Sequence, residues 1–255
     1  MPISIKSSRE IELMAEAGRI LEKVHLELGK ALHPGMSTLD IDRLGKKLIE
    51  GYGCIPSFLN YNGYPASICV SVNEEVVHGI PSRHRIIKEG DIVSLDAGVI
   101  YKGYHSDAAR THAIGKVSKE AEDLIKVTRE CFFEGIKYAK EGNHLFDISR
   151  AIGRYASERG YGVVRDLCGH GVGTALHEAP EIPNYEVPRK GVKLRAGMTL
   201  AIEPMINIGG WEVDWLDDDW TVVSRDRTLS AHYENTIVIT DGEPRILSAS
   251  LDGSK

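Results

Sequence analysis

Four acidic residues of this sequence stand inside apolar runs, where an unpaired carboxylate is costly to bury. Asp96 lies in VSLDAGVI and Glu203 in LAIEPMI, both typical of mostly buried strands. Asp107 and Glu234 lie in HSDAART and HYENTIV. Buried carboxylates that meet at one place repel one another unless they share protons or enclose cations. The four residues could therefore form either an acid dyad or a metal site.

The same four acids recur at corresponding places in an internal repeat. GMSTLDIDR, residues 35–43, aligns with GNHLFDISR, residues 142–150, at an offset of 107, and this offset places Asp96 on Glu203. After an insertion of about twenty residues near the 210s, Asp107 falls on Glu234. Chance could align short helical or strand segments, but it gives no reason for the embedded acids to coincide. We therefore predict a pseudo-twofold duplication with halves at about 8–114 and 118–240.

A hairpin would bring the first two acids together. If the chain reverses symmetrically about Tyr101 and Lys102, Asp96 and Asp107 become directly opposed neighbours with Cβ atoms roughly 5 Å apart. Four carboxylates that converge on one axis cannot be neutralised by a few shared protons at neutral pH, so divalent cations are the expected remedy.

The nearest nitrogen donor is a histidine between glycines in CGHGVG, whose small neighbours allow a close approach of the backbone. Carboxylates with one imidazole suit two ions of Mn, Fe, Co or Zn, bridged at roughly 3.5 to 4 Å. The predicted metal ligands are Asp96, Asp107, His170, Glu203 and Glu234.

Other histidines compete for this role. His105 precedes Asp107 by two residues and His232 precedes Glu234 by two, so strand alternation puts each on the face of its carboxylate. Spacing alone leaves both open as ligands. The remaining candidates lack a partner acid, and we expect structural or solvated roles for His25, His33, His84 and His112.

The predicted elements follow one order in each half, two helices and then several strands. Ser7 and Glu10 form a capping-box pattern before a helix that ends at 33–35, and a second helix runs from Ser37 or Thr38 to about Gly51. Strands are expected at 66–73, 91–100 and 104–114. In the second half we expect helices at 118–140 and 145–159, and strands around Val163, Leu200, Val222 and Ile237. This order predicts an α/β fold with the helices outside.

Composition narrows the class of protein. A net charge of -6 over 255 residues gives no broad cationic surface for nucleic acid. No apolar run reaches the roughly 18 residues that span a bilayer, the N-terminus lacks a signal pattern, and the four cysteines form no C-x-x-C pair. We expect a cytoplasmic protein with reduced thiols and no membrane partner.

Seven stretches carry a resemblance to a known family: YNGYPAS from Tyr61, VVHGIPS from Val76, VSLDAGV, HSDAART, CGHGVGTALHE from Cys168, AIEPM and AHYENT. The sequence resembles the methionine aminopeptidases of the short bacterial type I class over essentially its whole length. The resemblance implies the pita-bread fold, one catalytic domain over 1–255, the five ligands above with two divalent metal ions, and no ligand role for His105 or His232.

The resemblance also implies a reaction and a pocket. A hydroxide shared by the two metals would remove the initiator methionine from nascent proteins and peptides with a small second residue. Glu203 would be ligand and acid-base group, His177 would lie beside the scissile carbonyl and His78 near the scissile nitrogen. The implied pocket consists of Phe58, Tyr61, Tyr64, Cys69, Leu176 and Trp220. Phe58, Asn62, Leu176 and Val77 depart from residues common in the family, which affects pocket dimensions.

Three other functions remain to be distinguished. An Xaa-Pro peptidase shares this catalytic half but usually carries a sizeable N-terminal domain, and this chain begins directly with the repeat. A metal-free pita-bread binding module would have lost ligands. A nucleotide-binding protein built on the glycines of 169–173 is the weakest candidate, because the G-x-G-x-x-G spacing is not met.

The expected partners are peptide and nascent-chain N-termini, with a ribosome contact left open, and we expect a monomer. The acidic stretch WEVDWLDDDW, residues 211–220, lacks the glycine and final glutamate of an EF-hand loop. We expect a solvated loop there with Trp220 turned inward.

Overall fold

The computed structural model describes residues 2–249, which form four helices, a large sheet and two small sheets. The outer ends of the predicted domain, residue 1 and residues 250–255, lie outside the described residues. The helices are α1 (Ser8–Ala31), α2 (Thr38–Gly51), α3 (Lys119–Ile136) and α4 (Leu145–Ser157), with a 3-10 turn at Tyr61–Gly63. No helix of residues 2–249 is long and apolar enough to cross a membrane.

Local sequence explains where the helices begin and end. Ser7 caps α1 and forms the predicted capping box with Glu10. Helix α3 ends at Ile136 rather than at the predicted residue 140, because the chain tightens into short-range bonds such as Tyr138 N–H to the Gly135 oxygen at 3.0 Å. Helix α4 ends at Ser157, two residues before the predicted 159.

Fifteen short strands complete the described part of the fold. They are β1 (Ile55–Pro56), β2 (Cys69–Val72), β3 (Glu75–Val77), β4 (Ile92–Tyr101), β5 (Tyr104–Ala113), β6 (Gly162–Val163), β7 (Gly169–Gly171), β8 (Glu178–Ile182), β9 (Thr199–Ile202), β10 (Met205–Asn207), β11 (Val213–Trp215), β12 (Val222–Ser224), β13 (Ser230–His232), β14 (Glu234–Val238) and β15 (Arg245–Ile246).

The large sheet joins the two halves of the chain at its centre. Its order is β1-β4-β5-β14-β9-β7-β8, with β2 on β4 and β15 on β14. Strand β5 of the first half pairs with β14 of the second, where Glu234 faces Ala109 and Asn235 faces Ala108. Strands far apart in sequence therefore lie side by side.

Backbone contacts recur at the offset of the sequence repeat. Gly35 N–H donates to the Ile87 oxygen at 2.8 Å, and Gly142 N–H donates to the Leu194 oxygen at 3.0 Å. The isolated bridge between Ser37 and Ile86 has its counterpart between 144 and 193. These matched contacts support the predicted duplication, which we propose as the origin of the fold.

Each half covers its own strands with its own helices. One buried cluster packs residues of α1 and α2, such as Leu21 and Ile41, against Leu95 of β4. The other packs Phe132 of α3 and Ile148 of α4 with residues that include Leu200 and Ile237. The helices cover one face of these strands with apolar side chains. The other face of the sheet can therefore carry polar residues.

The register of the central hairpin differs from the predicted one. Asp107 faces Gly98, and Asp96 faces Ala109, so the two acids are diagonal neighbours rather than directly opposed. The reason is the turn: Lys102 and Gly103 both have positive φ, 49° and 85°, and form a two-residue turn of the kind that suits a tight hairpin. Even spacing still leaves both acids on one face.

Two further strand predictions and one loop prediction were wrong in extent. The strand predicted over 66–73 is confined to Cys69–Val72. Glu203 lies just after β9 instead of inside a strand, because Pro204 follows it and offers no N–H to a ladder. The acidic stretch 211–220 is a loop only in part, since Val213–Trp215 pairs with β12.

Candidate metal centre and substrate cavity

All five predicted metal ligands line one cavity of about 310 Å³. Neighbouring strands of the large sheet position them: Asp96 is on β4, Asp107 on β5, Glu234 at the start of β14, and His170 on β7. Glu203 follows directly after β9. The acids therefore meet where the first and second halves join.

The imidazole of His170 lies among these carboxylates. Its Nε2 is 3.5 Å from Glu203 Oε1 and 3.9 Å from Asp107 Oδ2. Ligand atoms of Asp107, His170 and Glu234 all lie within 4.8 Å of one another. His170 Nδ1 is 2.9 Å from the Gly171 carbonyl oxygen, to which it can donate, so that Nε2 is left to bind a cation.

Burial perturbs every carboxyl group of the cluster in one direction. It raises the pKa of Asp107 to about 7. Burial together with charged neighbours raises the pKa values of Asp96, Glu203 and Glu234 well above those of exposed acids. Within the described residues, Asp96 Oδ1 and Asp107 Oδ1 are buried and have no hydrogen-bond partner. Oxygen atoms without partners, held at one place, fit divalent cations.

The histidine suits the same role. Burial, and then the neighbouring His177, lowers the pKa of His170 to about 3. The ring is therefore neutral at physiological pH, which is the form that binds metal. Residues 2–249 thus supply four carboxylates and one neutral imidazole that could hold divalent ions.

Two further histidines face the same cavity. His177 stacks on Tyr61 with ring centroids 5.2 Å apart, and its Nδ1 lies 2.8 Å from the Tyr61 hydroxyl. It also lies against His170, with centroids 4.1 Å apart. His78 has a φ of 59°, a strained value for a residue with a side chain, of the kind that clusters at functional sites.

The predicted pocket residues form one apolar cluster beside the acids. Phe58, Tyr64, Cys69 and Leu176 are buried in it, with Tyr61 and Trp220 packed against them. Trp220 meets the ring of Tyr64 edge-on at 5.1 Å, so it turns inward as expected. All six residues line the 310 Å³ cavity together with Asn62.

The two competing histidines have different surroundings. His105 Nδ1 is 3.0 Å from Ser57 Oγ, which engages that nitrogen. His232 Nε2 is 3.6 Å from Glu203 Oε2, and neither ring nitrogen has a hydrogen-bond partner in residues 2–249. His232 is therefore a neighbour of Glu203.

Two supporting contacts have no signal in the sequence. The bond between Tyr61 and His177 joins residues 116 positions apart. Asn184 donates to the Glu203 carbonyl oxygen at 3.1 Å and helps to fix the segment that leaves β9. Neither pair has a spacing signal in the sequence, because each depends on the tertiary fold.

The sequence of this chain is similar to those of known proteins. The model of metallopeptidase family M24 matches residues 12–241. The methionine aminopeptidase of Clostridium acetobutylicum is 54% identical over 246 residues, which cover 96% of this chain and 98% of that protein. Methionine aminopeptidase 1 of Bacillus subtilis is 48% identical over 94% of this chain and 96% of that one.

A solved structure agrees with the sequence comparisons. The crystal structure of methionine aminopeptidase from Thermotoga maritima has a TM-score of 0.95 at 44% identity, covering 98% of this chain and 100% of that one. The chain belongs to metallopeptidase family M24, with the pita-bread fold, and within that family to the methionine aminopeptidases. The resemblance in the seven motifs is thereby confirmed.

Proposed function

We propose that this chain hydrolyses the peptide bond after an N-terminal methionine in peptides and nascent proteins whose second residue is small. One observation carries the proposal: the five candidate ligands, His78, His177 and the apolar pocket all line the same cavity. Polar groups that can bind a reacting bond therefore lie next to a space suited to a thioether.

Two divalent cations would be held by Asp96, Asp107, His170, Glu203 and Glu234. The unpartnered buried oxygens of Asp96 and Asp107 support this, since cations would neutralise and ligate them. Bound cations lower the pKa of water and polarise a carbonyl group. The donor set of four carboxylates and one imidazole favours Mn, Fe, Co or Zn over thiol-seeking metals.

The remaining steps fall to side chains of the chain. Glu203 lies just past the end of β9 with 13% of its side chain exposed, and it would carry the proton from the attacking water to the leaving amine. His177, fixed by the Tyr61 hydroxyl, would stabilise the oxyanion that develops on the scissile carbonyl. His78 would lie near the scissile nitrogen.

Pocket shape supports the choice of methionine. Phe58, Leu176 and Tyr64 are buried and enclose an apolar space that suits an unbranched side chain. The strand pair that places Cys69 opposite Asp96 brings this space next to the acids. A longer or branched first residue would collide with these walls.

A comparison of two peptides tests the substrate. With saturating divalent metal, Met-Ala-Ser should release methionine at a kcat/KM at least about 100-fold above the release of alanine from Ala-Pro-Ser. Equal rates, or a preference for Ala-Pro-Ser, would contradict the methionine pocket and favour an Xaa-Pro peptidase. A Leu176→Trp variant should lose Met-Ala-Ser hydrolysis by filling the pocket, whereas Leu216→Trp, outside the cavity, should keep it.

Location, oligomeric state and ribosome contact stay predictions. We propose a cytoplasmic monomer that meets nascent chains. Sedimentation of the purified chain at several concentrations would test the monomer, and co-sedimentation with ribosomes would test the contact.

A further inference from the structure

A second cavity of about 500 Å³ lies on the helix-covered side of the sheet. Its walls come from α1, α3 and β5, together with His232 at the end of β13 and Tyr233 between β13 and β14. None of its lining residues lines the cavity of the metal centre. The volume lies within the range of small-molecule sites.

Two imidazoles in the wall have nitrogens without partners. His25 Nε2 lies 2.8 Å from the Ala108 oxygen and can donate to it, which leaves Nδ1 as an acceptor with no partner in residues 2–249. His112 Nε2 is likewise buried and unpartnered within that range. His25 is only 5% exposed, so water does not easily meet this need.

A glycine brings the two rings to one place. Gly29 lies one helical turn after His25 on α1, on the same face. A Cβ at Gly29 would come within 2.7 Å of His112 Cε1, so any other residue would push that ring away from the helix. The ring of His112 is thus seated against α1 beside His25.

The charge on the wall is mostly positive. Lys30, Arg110 and Arg129 face a single carboxylate, that of Glu22, among the lining residues. Lys30 and Arg129 are exposed cations, and the guanidinium of Arg129 lies 4.7 Å above the ring of Phe133. An anion that entered the cavity would meet a favourable potential.

The rest of the wall is apolar and includes Leu26, Ile125, Phe133, Tyr233 and Ile246. A ligand that matches this cavity has an apolar body and one acidic group. A carboxylate offers only acceptor oxygens. One oxygen accepts from a donating His112 Nε2, and the other meets the acceptor His25 Nδ1 through one proton that is taken up from solvent on binding.

We propose that this cavity is a binding site for a small amphipathic carboxylic acid, with its carboxyl group between His25 and His112 and its apolar body against Phe133 and Tyr233. The proposal does not rest on the peptidase function. Two aspects of the geometry support it, namely the unpartnered imidazoles and the surplus of cations.

The site is joined to the metal centre through the backbone of β14. Arg110 Nη1 donates to the carbonyl oxygen of Glu234, and Nη2 donates to Asn235 Oδ1 at 2.6 Å. His232 lines the cavity and lies 3.6 Å from Glu203. A bound acid would therefore lie beside Arg110, which bonds the backbone of Glu234, and near His232, which neighbours Glu203.

A matched pair of probes tests the site. The purified chain is titrated with 4-phenylbutyrate and with its neutral amide, and binding is followed by calorimetry. Saturable binding of the acid, at least tenfold tighter than the amide, is the expected result. Absence of saturable binding, or equal affinity for the two probes, would overturn the proposal.

Variants on the cavity wall locate the binding. Lys30→Gln combined with Arg129→Gln removes two exposed charges and should weaken binding of 4-phenylbutyrate at least tenfold. Lys23→Gln removes a charge from the same helix outside the cavity and should leave binding unchanged. Equal affinity in the double variant and Lys23→Gln would contradict the site.

Ring signals of the histidines separate this cavity from the metal centre. In NMR spectra, 4-phenylbutyrate should shift the imidazole resonances of His25 and His112. Shifts confined to His78 and His177 would mean that the acid binds only in the catalytic cavity, and the proposal would fail. That outcome would leave the proposed peptidase function untouched.

Discussion

The two halves of the molecule hold their carboxylates in different ways. In the first half, Asp96 and Asp107 lie on β4 and β5, a hairpin paired along ten residues of each strand. In the second half, β9 ends at Ile202, so Glu203 leaves the sheet before Pro204 and the chain continues as β10 against β13. The first half therefore supplies a pair of acids fixed by strand pairing, and the second half supplies a pair in which Glu203 lies outside the strands.

This difference suggests that the two halves have different roles, one in binding metal and one in transferring protons. The first half supplies carboxylates fixed by strand pairing, which suits ligands that must hold a cation in place. The second half supplies His170 and Glu203, and the Glu203 side chain is more exposed than that of Asp107, at 13% against 5%. An acid that exchanges protons with substrate is expected to be the freer one.

The cysteines Cys69 and Cys168, one from each half, also differ in burial and in position relative to the catalytic cavity. Cys69 faces Asp96 across β2 and β4, and the charge of Asp96 adds to burial in raising the pKa of its thiol. Cys168, just before β7, is only partly buried, and burial with the charge of Glu203 raises its pKa to about 11. The first-half thiol lines the catalytic cavity, whereas the second-half thiol lies outside it.

The largest expected effect is a loss of kcat, and it distinguishes an acid that transfers a proton from an acid that only binds metal. Glu203→Gln should lower kcat for Met-Ala-Ser by about 10³-fold even in excess metal, because the acid-base group is lost. Asp96→Asn should also lower kcat. Because this substitution weakens metal binding, a higher metal concentration should restore part of the turnover. Steady-state kinetics across a metal titration measures both.

A neighbouring acid serves as the control for this pair. Glu181→Gln removes an exposed carboxylate that is outside the catalytic cavity and should keep wild-type turnover. If excess metal restored Glu203→Gln and Asp96→Asn equally, the two halves would not differ in role.

A second prediction concerns pH in the metal-free chain. Folding raises the pKa of Asp107 to about 7 and those of the other three acids well above the usual range, so the folded state binds more protons than the unfolded state. Stability then falls as pH rises toward and through the folded pKa values. Burial also lowers the pKa values of seven histidines, which makes stability rise with pH up to about 7.5 but adds no slope above it, where the rings are neutral in both states. These are His25, His78, His105, His112, His170, His177 and His232.

Calorimetry between about pH 7.5 and 9 measures this slope. The melting temperature of the metal-free chain should fall across this window by several degrees, since about 1.4 kcal/mol accompanies each pKa unit. Asp107→Asn should melt with a shallower slope, and saturating divalent cation should remove the decline. A melting temperature that rose with pH in the metal-free chain would contradict raised pKa values in the four clustered acids.

The smallest effect compares the two equivalent helix starts. Ser37 caps α2 with its side chain on the backbone N–H of Asp40, whereas His144, its counterpart at α4, makes no such side-chain bond. Ser37→Ala should lower the free energy of unfolding by about 1 kcal/mol, and His144→Ser should raise it by less than about 1 kcal/mol. Urea denaturation of both variants gives the two values, and equal loss in both would contradict the capping difference.

Buried acids and periodic apolar positions leave strong signals in a sequence, so acids that line one cavity could be predicted from it. Asp96 and Glu203 stand out as charges within apolar runs, and the starts of α1 and α2 follow from the caps Ser7 and Ser37. These features depend on local chemistry, which a sequence displays directly.

The predictions that were wrong concern strand register and strand extent, which depend on contacts between residues far apart in sequence. The register of Asp96 and Asp107 was wrong by one diagonal step because the turn formed at Lys102 and Gly103. The strand at 213–215 was missed because its pairing with β12 compensates for a sequence rich in acids. The bond of Tyr61 to His177 has no sequence signal at all.

The most direct test of the account is a count of bound metal. Mass spectrometry of the chain, equilibrated with excess Mn²⁺ and then freed of unbound ion, should find about two ions per chain. His170→Ala and Glu234→Gln should each retain fewer, while Glu181→Gln should retain the wild-type number. No bound ion in the wild-type chain, or the same number in all four proteins, would contradict a metal centre at the join of the two halves.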